Sequence, residues 1–116
     1  MAQGGRPGCE FCRVVAMEVP SREAYSGELT YAFHDKNPVA PVHVLIVPRQ
    51  HIVQLGPEHG MVLIEMVEAA YAVAERLGIA EGGYRLVVNV GPNAGAEVAH
   101  MHMHVLGGRR LAWPPG

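Results

Sequence analysis

Near its C-terminal end the chain carries three histidines that alternate with methionines, in the run His100-Met101-His102-Met103-His104. Successive side chains of a β-strand point to opposite faces, so this alternation predicts a strand that carries all three imidazoles on one side. On a helix the same residues would spread over most of the circumference. Because imidazole can be a nucleophile, an acid, a base or a metal ligand near neutral pH, the run predicts a site of chemistry.

The length and composition of the chain indicate one small globular domain. Its 116 residues suffice for a single core, and 14 glycines with 9 prolines predict short elements joined by tight turns. The net charge of −2 and the lack of a basic run argue against a nucleic-acid partner. Neither a membrane-spanning apolar stretch nor the apolar segment of a signal peptide is present, which predicts a cytoplasmic location and no membrane partner.

Hydrophobic periodicity predicts several strands and one long helix. Strands are expected over residues 29–34, with a hairpin partner at 23–26, and over 42–47 and 84–90; helices are expected over 12–18 and about 57–77. The core side of the long helix is predicted to consist of Leu63, Val67, Ala70, Ala74 and Leu77, with Met61 and Met66 in the same core. The strands cluster and do not alternate with helices, so the expected class is α+β with an antiparallel sheet.

The two cysteines of the chain form a C-x-x-C motif at Cys9 and Cys12. In a reducing compartment such a motif indicates half of a metal site or a redox pair more often than a structural disulfide. A redox motif normally opens a helix after a strand, whereas this one lies almost at the N-terminus with no predicted strand before it. A metal is therefore favoured, although the motif supplies only half of the four ligands of zinc.

Together these motifs resemble the histidine triad (HIT) superfamily over about residues 9–116. The histidine run followed by Val105-Leu106 is similar to the family signature, in which three histidines alternate with apolar residues. Segments 33–35, 41–48 and 84–89 resemble the other family blocks in order and spacing, and the ending 106–116 is similar to the tail of the histidine triad nucleotide-binding branch. The resemblance implies one HIT domain at 9–116, preceded by a flexible lead at 1–8.

The resemblance also implies an architecture and an activity. The architecture is a mostly antiparallel five-stranded sheet with one long and one short helix, and two chains join their sheets in a homodimer. The activity is attack by a histidine on the α-phosphorus of a purine nucleoside 5′-phosphoramidate or related nucleotidyl adduct, of AMP or GMP type. Water then releases the nucleoside monophosphate from a nucleotidyl-histidine intermediate. The alternatives are a dinucleoside polyphosphate hydrolase and a purine nucleotide-binding interaction protein whose hydrolysis is incidental.

The resemblance assigns roles to individual residues. It makes His102 the nucleophile, with His104 and His43 beside the reacting phosphate and Glu97 near the leaving group. The nucleotide-binding residues that it implies are Asp35 and His34 near the ribose, Phe11, Val14, Phe33 and Leu45 around the base, Asn89 and the loop residues Gly95, Ala96 and Val98 at the phosphate, and Trp113 near the leaving group. The apolar members could equally be ordinary core residues, Asn89 could satisfy a turn, and Trp113 could pack a dimer interface.

Similarity to bacterial HIT proteins with an N-terminal C-x-x-C implies a structural zinc bound by Cys9, Cys12, His51 and His100. Such a set is closed and tetrahedral and leaves no position for water, so no catalytic metal is expected. In the alternative interpretation His51 is a surface residue and the cysteines are free thiols.

Three positions depart from the pattern of the animal branch. Glu97 stands where that branch has a serine, and a carboxylate next to a phosphate is repelled unless it is protonated or paired. We therefore expect Glu97 to contact an ammonium group of the leaving group, or His43. Ala96 replaces a usual glutamine and Lys36 replaces an apolar residue near the base, so the sequence leaves the leaving group and the purine preference open.

Overall fold

The computed structural model describes residues 5–116, so the predicted lead at 1–8 lies partly outside the described residues. The helices and strands are α1 (Glu10–Val15), β1 (Glu23–Ser26), β2 (Thr30–His34), β3 (Val42–Pro48), α2 (Gly60–Arg76), β4 (Tyr84–Val87) and β5 (Met103–Gly107). The strands form one 5-stranded sheet in the order β1-β2-β3-β5-β4, and every neighbouring pair is antiparallel. The expected α+β architecture is confirmed. Within residues 5–116 no helix has the length and apolar character needed to cross a membrane.

The central strands β3 and β5 separate two apolar clusters, one on each face of the sheet. Alternation along β3 sends Val44 and Ile46 into the cluster beneath α2, and Met103 and Val105 of β5 join them. The opposite face carries a smaller cluster that includes Leu45 and is covered by α1. A sheet buried on both faces explains why β3 is apolar almost throughout, and why the polar His43 within it is conspicuous.

The buried side of α2 differs from the predicted one. The buried residues of the helix are Met66, Ala69, Ala70, Val73 and Ala74. The prediction is correct for Ala70, Ala74 and Met66, but it is wrong for Val67, which is 50% exposed, and for Met61, which is 77% exposed. Apolar residues also flank the buried stripe, so periodicity alone did not locate its centre.

Several element boundaries also differ from the expected ones. Helix α1 lies at Glu10–Val15 and not at 12–18, because the Sγ of Cys9 accepts a hydrogen bond from the Cys12 amide at 3.4 Å and caps the first turn. The long helix is preceded by a single 3-10 turn at Pro57–His59. Strand β4 ends at Val87, three residues before the expected end at 90.

Candidate functional site

The sheet face opposite α2 brings the predicted base-binding residues together. Phe11, Val14, Phe33 and Leu45 form one cluster with Tyr31 and Val47, two residues that the sequence had not indicated. The four predicted residues are all at least nine-tenths buried and belong to one cluster, so they form a core on this face of the sheet. The ring of Phe11 also lies 5.0 Å from the ring of His102, centroid to centroid.

The histidine run is only partly a strand, which corrects the expectation that all three histidines lie on one. Strand β5 begins at Met103, and His100 and His102 precede it. The amide of Met101 donates to the carbonyl of Ile52 at 2.6 Å, outside the ladder that β5 forms with β3. The alternation survives nonetheless, because Met101 and Met103 are buried under α2 while the rings of His102 and His104 lie 5.0 Å apart on the other face.

The hydrogen bond of His102 to its own backbone decides where its lone pair lies. Its Nδ1 is 2.9 Å from the carbonyl oxygen of His100. A carbonyl only accepts hydrogen bonds, so Nδ1 carries the hydrogen and Nε2 keeps the lone pair. An imidazole held in this tautomer presents a nucleophilic nitrogen near neutral pH.

His43 and His104 are joined by a second set of hydrogen bonds. The backbone amide of Val39 donates to Nδ1 of His43 at 3.2 Å, so the hydrogen of a neutral His43 lies on Nε2. This Nε2 lies 2.9 Å from Nδ1 of His104 and donates to it. His104 must then carry its own hydrogen on Nε2, which becomes a donor.

Burial keeps this histidine pair neutral. It is the main cause that lowers the pKa of His104 to about 4, and repulsion from the protonated forms of His102 and His43 lowers it further. Burial also lowers the pKa of His43, although the carboxylate of Asp35 opposes that shift. Both imidazoles are consequently uncharged near pH 7, as the described hydrogen bonds require.

Asp35 lies next to the histidine pair. Its Oδ2 is 3.4 Å from Nε2 of His43, and its Oδ1 accepts from the amide of Asn37 at 2.8 Å. His34, the residue before it, ends β2 and is half-buried, and burial followed by the charge of Arg22 lowers the pKa of its imidazole. The predicted ribose ligands therefore stand at the same end of the sheet as His43.

A cavity of about 230 Å³ opens beside His102. Besides His100 and His102, its lining includes Asn89, Ala96, Glu97 and Val98, all of which the sequence indicated. Gly95 adjoins them at the end of a 3-10 turn, with a φ of 83° that favours glycine.

Trp113 does not line this cavity. It is 78% exposed, and the guanidinium of Arg85 lies 5.8 Å from the centroid of its ring.

The four predicted metal ligands also come together. The side-chain donor atoms of Cys9, Cys12, His51 and His100 all lie within 4.8 Å of one another. The Sγ of Cys9 is 3.3 Å from Nδ1 of His100, and the Sγ of Cys12 is 3.2 Å from Nδ1 of His51. Sulfur and nitrogen ligands of a tetrahedral zinc stand about 3.5 Å apart, given the usual bond lengths. The donor set therefore fits a metal ion such as zinc.

His100 connects this cluster to His102. It is fully buried, and its Nε2 lies 2.9 Å from the carbonyl oxygen of Pro48, which directs Nδ1 towards the two cysteines. The carbonyl of the same residue accepts the hydrogen bond from His102. A metal ion bound by Cys9, Cys12 and His100 would thus hold His100 in place, and the carbonyl of His100 orients the ring of His102.

Comparison with known proteins agrees with this geometry. A model of the HIT domain matches residues 16–111, which is most of the chain. The chain belongs to the HIT family. This HIT protein is 42% identical over 104 residues to the purine nucleoside phosphoramidase of Escherichia coli, and the match covers 87% of each chain.

Solved structures give the same result. A HIT family hydrolase from Legionella pneumophila superposes with a TM-score of 0.89 at 38% identity, covering 94% of this chain and 100% of the other. A Zn-bound histidine triad family protein from Mycobacterium smegmatis gives a TM-score of 0.74 at 28% identity, covering 88% of this chain and 76% of the other. The HIT protein described here is a hydrolase of this family.

Some residues of the site in this HIT protein were missed by sequence reasoning. Val53 and Gln54 line the cavity beside His102, but they lie in a loop with no recognisable pattern. The backbone groups of Val39 and Pro48 orient His43 and His100, and no side-chain pattern reveals a backbone partner. Near Val39 the sequence offered one signal: the pair Asn37-Pro38 is typical of a turn, and this turn leads from β2 into β3.

Proposed function

We propose that this HIT hydrolase cleaves purine nucleoside 5′-phosphoramidates, or related nucleotidyl adducts, to the nucleoside monophosphate. The observation that carries the proposal is the hydrogen bond from Nδ1 of His102 to the carbonyl of His100, because it leaves Nε2 free to attack. The 42% identity to a purine nucleoside phosphoramidase supports the substrate class.

The reaction takes place in two displacements at the α-phosphorus. Nε2 of His102 forms a bond to phosphorus while the bond to the leaving nitrogen breaks, and the departing amine takes up a proton from solvent water. A second water molecule then bonds to phosphorus through its oxygen and gives up one proton to solvent, while the bond to Nε2 breaks, so the monophosphate leaves and His102 is restored. Phosphoryl transfer needs mainly positioning and charge stabilisation, which the Nε2 hydrogen of His104 and the side chain of Asn89 can supply.

The first test is the hydrolysis of an adenosine 5′-phosphoramidate by the unmodified protein, with AMP quantified by chromatography. Steady turnover supports the proposal. Tight binding of AMP without turnover would favour a nucleotide-binding interaction protein. Faster hydrolysis of a diadenosine polyphosphate than of any phosphoramidate would favour the polyphosphate hydrolase.

A homodimer is part of the same proposal. Helix α2 exposes Met61, Ile64 and Tyr71, each more than 60% accessible, and Leu86 lies on β4 at the edge of the sheet. Exposed apolar residues and an open strand edge are typical of a surface that a partner covers, and a second copy would continue the sheet.

We expect analytical ultracentrifugation of the unmodified protein to give a dimer, and we expect the change Ile64→Glu to shift the equilibrium towards the monomer. The control Glu68→Gln should stay dimeric, and a monomeric unmodified protein would contradict the proposal.

Zinc is proposed as the occupant of the cluster at Cys9, Cys12, His51 and His100. The protein supplies all four ligands of a closed site, so the ion would stabilise the fold and take no direct part in hydrolysis. The Zn-bound relative from Mycobacterium smegmatis supports this choice. The expected cytoplasmic location would keep both thiols reduced and available to the metal.

Glu97 is proposed to favour cationic leaving groups. It is exposed and lines the cavity that contains His102, so its carboxylate stands close to where the leaving group must depart. Replacing Glu97 by Ser should lower kcat/KM for an amine that carries an ammonium group about two- to fivefold relative to a neutral amine of the same size. The isosteric Glu97→Gln should give the same change, because it removes only the charge. An unaltered ratio in both variants would disprove this role.

A further inference from the structure

Arg109 lies just beyond β5 and contacts the loop that precedes β3. Its Nη2 donates to the backbone carbonyl of Val39 at 2.9 Å. The loop at residues 35–41 is exposed at this point, since Val39 is 63% accessible. This guanidinium therefore fixes the backbone carbonyl of a residue whose side chain is largely exposed.

Val39 is also the residue that orients His43. Its amide donates to Nδ1 of His43 at 3.2 Å, and Nε2 of His43 lies 2.9 Å from Nδ1 of His104. One continuous series of hydrogen bonds therefore runs from Arg109 through Val39 and His43 to His104. Every member of the series between the two ends both donates and accepts.

The end of β5 lies close to the start of β3, and this makes the contact of Arg109 with Val39 possible. Gly107 of β5 pairs with Val42 of β3, and Gly108 follows with a φ of 93°. A Cβ on Gly108 would lie 2.8 Å from the Cβ of Pro41, closer than side chains tolerate. The glycine therefore lets the segment pass against the loop and brings Arg109 to Val39.

We propose that Arg109 is a positioning residue for the hydrolysis, acting through Val39 on the tautomers of His43 and His104. The inference rests on the proposed function, because it concerns the same reacting site. If Val39 moves away, Nδ1 of His43 can take the hydrogen and Nε2 becomes the acceptor. His104 must then donate from Nδ1, and its Nε2 loses the hydrogen that would point to the phosphate. One loosened loop contact thereby turns a donor at the reacting group into an acceptor.

The test compares Arg109→Ala with Arg110→Ala, in which the neighbouring arginine loses the same charge. We expect Arg109→Ala to lower kcat about tenfold, because the loss of one hydrogen bond raises the activation free energy by its net contribution. KM should change less than about twofold. Arg109→Lys should recover most of the activity, because an ammonium group can still donate to the carbonyl of Val39. Arg110→Ala should resemble the unmodified protein, whereas an equal loss in Arg110→Ala would indicate a general effect of charge and overturn the proposal.

The tautomer of His43 is measured independently of any substrate, from the ¹⁵N chemical shifts of its ring. The unmodified protein should show the form with hydrogen on Nε2, and Arg109→Ala should show a mixture. An unchanged tautomer in Arg109→Ala would overturn the proposal. Absence of turnover in the unmodified protein would refute the proposed function instead, while the ring shifts would still decide the role of Arg109.

A double-mutant comparison checks that Arg109 acts through His43. In a His43→Ala background the further change Arg109→Ala should cost no additional activity, because the series of hydrogen bonds is already broken. The same loss in both backgrounds would show that Arg109 acts on the reaction by another route, and it would contradict the proposal.

Discussion

Replacing His102 by Ala is expected to lower kcat for an adenosine 5′-phosphoramidate by about 10⁴- to 10⁶-fold, as for other enzymes that lose their nucleophile. The expectation follows from the hydrogen bond between Nδ1 of His102 and the carbonyl of His100, which leaves the lone pair on Nε2, the atom that we propose attacks phosphorus. Steady-state hydrolysis, followed by chromatography of AMP, measures the effect.

The control for this loss is His59→Ala, since His59 lies in the 3-10 turn before α2. It should leave kcat within about twofold of the unmodified protein, as expected for a residue outside the site. Calorimetry should show that His102→Ala still binds AMP, which excludes a collapsed pocket. A variant of His102 that kept a tenth of the activity would mean that another group attacks the phosphorus.

Loss of the proposed metal ligands is expected to have the second large effect, on stability. The double change of Cys9 and Cys12 to Ser should lower the free energy of unfolding by about 3 kcal/mol or more and the melting temperature by about 10 °C. The reason is that the four-ligand set connects α1 to His51 and His100, which are distant in sequence. Differential scanning calorimetry of the zinc-loaded protein measures the difference.

A chelator provides the matched experiment on the unmodified chain. It should release about one zinc ion per chain, detected with a colorimetric indicator, and lower the melting temperature to that of the double variant. The double variant itself should not respond. If the chelator changes neither the zinc content nor the melting temperature of the unmodified protein, the cysteines are free thiols.

Much of the fold follows from local pattern, and the exceptions have tertiary causes. The alternation around His102 and the apolar run of β3 indicated the two central strands, because a buried sheet imposes period two. By contrast, the side of α2 that faces the sheet was set by packing, which leaves Val67 exposed. His100 lies outside the strand because its ring nitrogens contact the Sγ of Cys9 and the carbonyl of Pro48.

The candidate site likewise contains residues that the sequence indicated and contacts that only the structure reveals. The sequence indicated the three histidines of the candidate site and the four candidate metal ligands, because reactive side chains in a characteristic order carry a recognisable signal, and the structure brings each set together. The contact of Arg109 with Val39 could not, because it joins an arginine to a backbone carbonyl 70 positions away. The exposed position of Trp113 beside Arg85 likewise leaves its expected role at a partner chain as a prediction.

The most direct test of the account is to trap the covalent intermediate. The unmodified protein is mixed rapidly with an adenosine 5′-phosphoramidate and quenched in alkali, because phosphorus–nitrogen bonds to histidine break in acid. Mass spectrometry of the intact chain and of its peptides then locates any added group. The account predicts one adenylyl group on His102 during turnover and none on His102→Ala. An adenylyl group on another residue, or rapid turnover with no covalent species at any time, would contradict it.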